Sequence, residues 1–252
     1  MKASLEEHIR DFDDNGFTVY KQALSAEEAE ALRIAVEESF AQPEKVGDAA
    51  ILRKLMFEKG ELFERLIDRP GVVDFAEAVL GSNCHMFGMT AIKTPKGTGI
   101  DNWHVDEELH FPLPDGMELD SSVRFPALLF TSIYYLVDVT EDMGPTQLIP
   151  GSHRSGRHPN PQENPPVYKG RQPVSILAKA GDCLIFNGQT WHRGAKNISD
   201  KPRIVQQVHY GKRWISQRFY PFINYQMPLD VIERANPRRK RLLGLHEVGP
   251  YG

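Results

Sequence analysis

One short stretch of the sequence is dense in chemistry: Asn102-Trp103-His104-Val105-Asp106-Glu107. Side chains two apart on an extended strand share a face, so a strand here turns the imidazole of His104 and the carboxylate of Asp106 toward a common point. An isolated His-x-Asp pair carries little weight in a chain with nine histidines and 34 acidic residues. A second histidine delivered from a distant strand would complete a two-histidine, one-carboxylate face, which holds iron(II) and leaves positions open for substrate chemistry. The run Gly181-Asp182-Cys183-Leu184-Ile185-Phe186-Asn187-Gly188-Gln189-Thr190-Trp191-His192-Arg193-Gly194 offers that histidine: a turn, an apolar strand, a polar connection, then His192. Eleven residues further on, Arg203 opens Arg203-Ile204-Val205-Gln206-Gln207-Val208-His209-Tyr210. A buried arginine there can grip a carboxylate with both arms of its planar guanidinium.

These residues need a scaffold that brings distant strands together. Ser4 and Glu7, then Ser25 and Glu28, form two capping boxes that predict helices over 4–14 and 25–40. The second carries an apolar stripe of Ala29, Leu32, Val36 and Phe40. Between them Phe17-Thr18-Val19-Tyr20 reads as a strand. Further helices are expected within 59–68 and from Gly71 to Leu80, the latter closed by Gly81 in the left-handed region. From 84 onward the pattern turns to short β-rich runs at 84–93, 103–106, 127–137, 147–149, 174–177, 183–187 and 203–210, separated by Gly- and Pro-rich turns. Helices followed by many short strands predict a mainly β fold with flanking helices, its core an antiparallel sandwich or jelly roll buttressed on one face. We expect a single domain over 1–252: a helix-rich part at 1–82, the jelly roll at about 84–212 and a C-terminal extension at 213–252, helical around 228–235. Two proline-rich segments, 110–122 and 155–173, follow metal-proximal strands and are candidate lids.

Composition narrows the class further. The chain has 252 residues, 40% apolar and 25% charged, as an ordinary globular protein does. A formal net charge of −4 gives no polyanion-binding signal, and the basic run Arg238-Arg239-Lys240-Arg241 is expected to be a solvated surface patch rather than a nucleic-acid footprint. No nucleic-acid or membrane partner is expected, no secretory leader is visible, and no apolar run is long enough to span a bilayer. Cys84 and Cys183 have no metal-like spacing and fit reduced thiols of a cytoplasmic protein, a monomer or homodimer.

The motifs together resemble the phytanoyl-CoA dioxygenase (PhyH-like) family of iron(II)/2-oxoglutarate oxygenases, from Gly16-Phe17 to the C-terminus. The resemblance rests on His104-x-Asp106, on His192 with Arg203 eleven residues later, and on Gly144-Pro145-Thr146-Gln147-Leu148-Ile149-Pro150-Gly151-Ser152-His153-Arg154 with its proline-glycine-serine-histidine turn. It implies a double-stranded β-helix, cupin-like, in which His104, Asp106 and His192 hold Fe(II) and act in catalysis. Arg203 then pairs with the distal carboxylate of the co-substrate 2-oxoglutarate, and O2 is the oxidant. Related halogenases replace the acid with a small residue; this chain keeps Asp106, which favours hydroxylation. Lys93, Thr131 and Tyr134 are further candidates for holding 2-oxoglutarate. Trp103 is a candidate wall of the substrate pocket, and the period of two places Gln207 and His209 on the face of Arg203, toward substrate. His153 is expected to fix its turn without binding metal.

The expected reaction is hydroxylation of a small-molecule substrate, such as a secondary metabolite, with 2-oxoglutarate decarboxylated to succinate. An acyl-CoA substrate would call for cations such as Arg154, Arg157, Lys169 and Arg171. A non-catalytic jelly roll that senses 2-oxoglutarate would release no succinate. A metal-dependent isomerase or hydrolase on a cupin-like barrel would work without oxygen.

Overall fold

The computed structural model describes residues 3–114, 116–120, 123–220 and 222–248. Helix α1 (Leu5–Asn15) starts at the Ser4/Glu7 capping box and α2 (Ala26–Ala41) at the Ser25/Glu28 box, both with the reciprocal bonds the sequence predicts. Strand β1 (Phe17–Tyr20) lies between them. The helix expected within 59–68 is reduced to a 3-10 turn at Met56–Lys59 and a single α-turn, α3 (Glu61–Glu64). Helix α4 (Val72–Leu80) follows. Gly81 closes it with φ 104° and ψ 153°, not the left-handed helical cap expected; the chain leaves in an extended mirror conformation that glycine adopts at no steric cost.

The remaining strands are β2 (Leu52–Lys54), which no pattern had announced, β3 (His85–Thr94), β4 (Ile100–His104), β5 (Leu129–Tyr135), β6 (Thr146–Leu148), β7 (Val174–Ile176), β8 (Cys183–Asn187), β9 (His192–Gly194) and β10 (Arg203–Gly211). They form two antiparallel sheets, one in the order β1-β8-β5-β10-β3-β2 and one in the order β4-β9-β6-β7. This is the predicted jelly-roll arrangement. The fully buried alternation of β5 explains its place in the middle of the larger sheet: one face packs Phe130 and Tyr134 against the helices, the other packs Ile133 and Tyr135 toward the smaller sheet. On the helix side lie Phe12, Leu32, Val36 and Phe75, none more than 2% exposed. Burying such side chains contributes on the order of 2 kcal/mol each.

The C-terminal part is bound to this helical layer by charge. Helix α5 (Leu229–Arg234) is followed by α6 (Pro237–Leu242), which carries the basic run, and its arginines are not a solvated patch. Arg238 reaches Asp74 and Glu77, Arg239 reaches Asp68, and Arg241 reaches Glu77. Arg234 meets Glu64, whose side chain is wholly buried. Both cysteines are buried and free. Among the described residues, no helix is long and apolar enough to cross a membrane.

The two proline-rich segments clasp each other; residues 115, 121 and 122 of the first lie outside the described residues. Leu113 donates its amide to the Gly156 carbonyl at 3.1 Å. Arg157 donates to the carbonyls of Pro114 and Met117, and Arg154 donates to those of Asp120 and Val123. Lys169 pairs with Glu118, and Arg171 reaches the Asp14 carbonyl. The cations considered for an acyl-CoA phosphate are therefore engaged in holding the loops.

Candidate metal and co-substrate site

Strands β4 and β9 pair so that His104 and His192 are direct cross-strand partners, with ring centroids 4.3 Å apart. Asp106 is not on the strand, as the simple two-apart rule assumed. It lies just beyond the end of β4, where its amide donates to the Gly188 carbonyl at 2.9 Å. That bond carries the carboxylate back to the histidines: Asp106 Oδ1 lies 3.3 Å from His192 Nε2. One donor atom from each of His104, Asp106 and His192 lies within 4.8 Å of the others.

Both imidazoles are preset for metal. Nδ1 of His104 meets the Asn102 carbonyl at 2.9 Å, and Nδ1 of His192 meets the Thr190 carbonyl at 2.8 Å. A carbonyl only accepts, so each ring carries its proton on Nδ1 and leaves Nε2 as a ligand. The proline-glycine-serine-histidine turn supports this arrangement. Ser152 Oγ accepts from the Trp191 amide at 2.8 Å and donates to the Ile149 carbonyl, fixing the backbone next to His192. His153 bonds the Asp13 carbonyl at 3.1 Å, and so ties α1 to the turn.

Electrostatics follow from this crowding. Burial raises the Asp106 carboxyl, but the neighbouring histidines, His192 foremost, overcome it and hold the pKa at about 2. Burial lowers His192, yet the Asp106 carboxylate outweighs it and the net shift is upward. His104 moves down, through burial and then the proximity of His192.

A cavity of about 200 Å³ opens beside these ligands, between the sheets, lined by His104, Asp106, Thr131, His192, Arg203 and Gln207 among others. Its floor is a grid set by register. Tyr135, Val205 and Ile92 form one row, Ile133, Gln207 and Thr90 the next, and Thr131, His209 and Gly88 the third. Arg203 is 4% exposed. It donates through Nη1 to the Gly144 carbonyl and through Nη2 to Thr94 Oγ1 at 3.3 Å, while Nε has no partner. Among the described residues, no Asp or Glu pairs with it. Burial pushes its pKa down. Gly144 makes the contact possible, with φ at +68° and a position where a Cβ would lie 2.2 Å from the Ala195 carbonyl oxygen.

The structure separates the weaker candidates. Thr131, Gln207 and His209 line the cavity. Thr131 bonds the Asp106 carboxylate at 3.3 Å, so its hydroxyl serves a ligand side chain. Lys93 does not point inward; Ile92 does, and the alternation of β3 sends Lys93 outward to within 3.9 Å of Glu37 on α2. Tyr134 is likewise on the wrong face, buried in the helix-side core. Its neighbour Tyr135 takes the inward position and donates to Thr146 Oγ1 at 3.0 Å. Trp103 lies outside the cavity, its ring under the Arg193 guanidinium at 4.8 Å. Thr94, Tyr135, Thr146 and Arg193 belong to the site or its immediate support and were not singled out in sequence. Only Tyr135 had a readable signal, as the residue four beyond Thr131 on the same strand and therefore on its face.

The residues present fit iron(II) and 2-oxoglutarate. The donor set is imidazole and carboxylate with both rings oriented, and among the described residues the buried arginine beside it has no anion of the kind that normally accompanies a buried guanidinium.

Comparisons with known proteins agree. The chain is 28% identical over 163 residues to dioxygenase peniF of Penicillium patulum, covering 64% of this chain and about half (50%) of that relative. It is 26% identical over 230 residues to the ectoine dioxygenase of Nocardia farcinica, covering 78% of this chain and 74% of the relative. The epimerase SnoN, solved with Fe3+, alpha ketoglutarate and nogalamycin RO, superposes with a TM-score of 0.63 at 20% identity, covering 83% of this chain and 84% of that one, a likeness of fold. The model of the phytanoyl-CoA dioxygenase (PhyH) family matches residues 12–205, and with the His104, Asp106, His192 and Arg203 geometry in place the chain belongs to that family.

Proposed function

We propose that the chain is an iron(II)- and 2-oxoglutarate-dependent dioxygenase that hydroxylates a small molecule. The observation that carries this reading is Arg203: a buried guanidinium, without an acidic partner among the described residues, lining the same cavity as the three metal donors. Iron(II) and 2-oxoglutarate, when bound, supply the oxidation of substrate by O2 with release of succinate and carbon dioxide. The protein holds and orients. His104, Asp106 and His192 would be the metal ligands, the two rings kept in register by the Asn102 and Thr190 carbonyls. Arg203 would take the distal carboxylate of 2-oxoglutarate in bidentate fashion, with the Thr94 hydroxyl beside it. Gln207 and His209, two and three rows further along the floor, would face substrate. The clasped segments around 110–114 and 155–157 would limit water access.

A panel of small molecules tested for stimulation of succinate release by the iron-loaded protein checks this reading. Stimulation by at least one compound, dependent on both iron(II) and oxygen, is the expected result. Product formation without oxygen would contradict it.

A further inference from the structure

Gln207, Thr90, His209, Thr131 and Asp106 form one continuous hydrogen-bonded chain across the cavity floor. Gln207 and Thr90 are cross-strand partners on β10 and β3, and Thr90 Oγ1 donates to Gln207 Oε1 at 2.8 Å. Thr131 and His209 are cross-strand partners on β5 and β10, with Thr131 Oγ1 2.9 Å from His209 Nδ1. The diagonal contact between Thr90 Oγ1 and His209 Nε2, at 3.2 Å, joins the two pairs. Thr131 Oγ1 also lies 3.3 Å from Asp106 Oδ2.

Counting protons gives this chain a direction. A carboxylate only accepts, so the Thr131–Asp106 bond uses the single hydroxyl proton of Thr131. The contact of Thr131 with His209 must then be donated by Nδ1–H. Burial keeps His209 neutral, its pKa pushed down to about 4, so its Nε2 is an acceptor and takes the proton of Thr90. Thr90 in turn must accept from Gln207, which calls for the amide nitrogen toward Thr90 and the amide oxygen toward the cavity; the structure sets Oε1 against Thr90 Oγ1, so this setting needs the carboxamide turned over. Carboxamide ends are interchangeable in shape. With the oxygen toward Thr90, as it stands in the structure, every bond reverses, and a neutral His209 takes the Thr131 proton in place of Asp106.

Resting on the iron and 2-oxoglutarate reading of the site, we propose that Thr90, His209 and Thr131 are positioning residues, a proton-ordered relay through which the orientation of the Gln207 amide decides whether the Asp106 metal ligand has a hydrogen-bond donor. A substrate that offers a hydroxyl or amine to the Gln207 oxygen holds the relay in the setting that supports Asp106. A substrate that accepts from Gln207 releases it.

The test is a double-mutant cycle read as Co(II) affinity from the visible absorption of the bound ion. Thr131→Val, isosteric but without the hydroxyl, weakens binding about tenfold, and Thr131→Ser restores it to within about twofold. Thr90→Val costs roughly threefold in the wild-type background, the size of one hydrogen bond, and costs nothing further in the Thr131→Val background. Equal costs of Thr90→Val in both backgrounds, or wild-type affinity in Thr131→Val, would overturn the relay. A wild-type chain that binds no Co(II) would instead overturn the metal-site reading beneath it.

Discussion

His104 and His192 face each other as direct cross-strand partners in the β4–β9 pairing. The smaller sheet thus brings two candidate ligands together by register, and the third, Asp106, is drawn in by a backbone bond from its amide to the Gly188 carbonyl. Two of the candidate ligands sit on paired strands and one is held by a neighbouring turn, the kind of rigid support that a precise site needs.

Arg203 should govern affinity for the co-substrate and Lys93 should not. Arg203→Leu is expected to raise the KM for 2-oxoglutarate about 100-fold, the equivalent of a lost bidentate charge-assisted contact of roughly 3 kcal/mol. Lys93→Ala, which removes a side chain paired with Glu37 on the outer face, should leave that KM unchanged. Steady-state kinetics at saturating substrate distinguish the two; a large effect at Lys93 would contradict the placement of the anion.

The folded chain should lose stability in mild acid. Burial depresses the pKa of His153 and of His209 from 6.5 to about 4. An unfolded histidine takes up its proton near its ordinary value, so between about pH 6.5 and pH 4 the unfolded chain binds more protons than the folded one. That difference, roughly two protons from these residues, makes stability fall as pH drops through this window. Urea unfolding midpoints across it should decline steadily, and His153→Gln should flatten the slope. A midpoint independent of pH over this range would show that these rings are not held neutral.

The C-terminal arginines should matter to stability and not to turnover. Arg239 and Asp68 are each about nine-tenths buried, with Arg239 Nε and Nη2 at 2.8 and 2.7 Å from Asp68 Oδ1. Arg239→Ala leaves Asp68 without that partner and is expected to cost about 2–3 kcal/mol. Denaturant unfolding gives the loss directly, and a change below about 0.5 kcal/mol would show the pair to be replaceable by water.

Much of this was legible in the residues. Ser4/Glu7 and Ser25/Glu28 announced two helix starts because capping is local chemistry, and β8 and β10 read clearly because their apolar runs are bounded by turns. His104, Asp106, His192 and Arg203 were singled out from side-chain type and spacing, and the structure brings them to one cavity. Facing was harder. Lys93 and Tyr134 sit one residue away from the inward positions of Ile92 and Tyr135, and on strands covered on both sides apolar pattern does not say which face is which. The ion pairs of Arg238, Arg239 and Arg241 with Asp68, Asp74 and Glu77 join segments more than 160 residues apart, beyond anything local pattern encodes. Strand β2 is three residues long and owes its existence to the edge of β3.

The central claim is that three side chains bind iron(II) in a form ready to receive 2-oxoglutarate. Anaerobic titration of 2-oxoglutarate into the iron(II)-loaded protein, followed by visible charge-transfer absorption, tests it most directly. A band that saturates at about one equivalent in the wild-type chain and is lost in His192→Ala is expected. No band in the wild type, or the same band in His192→Ala, would contradict it.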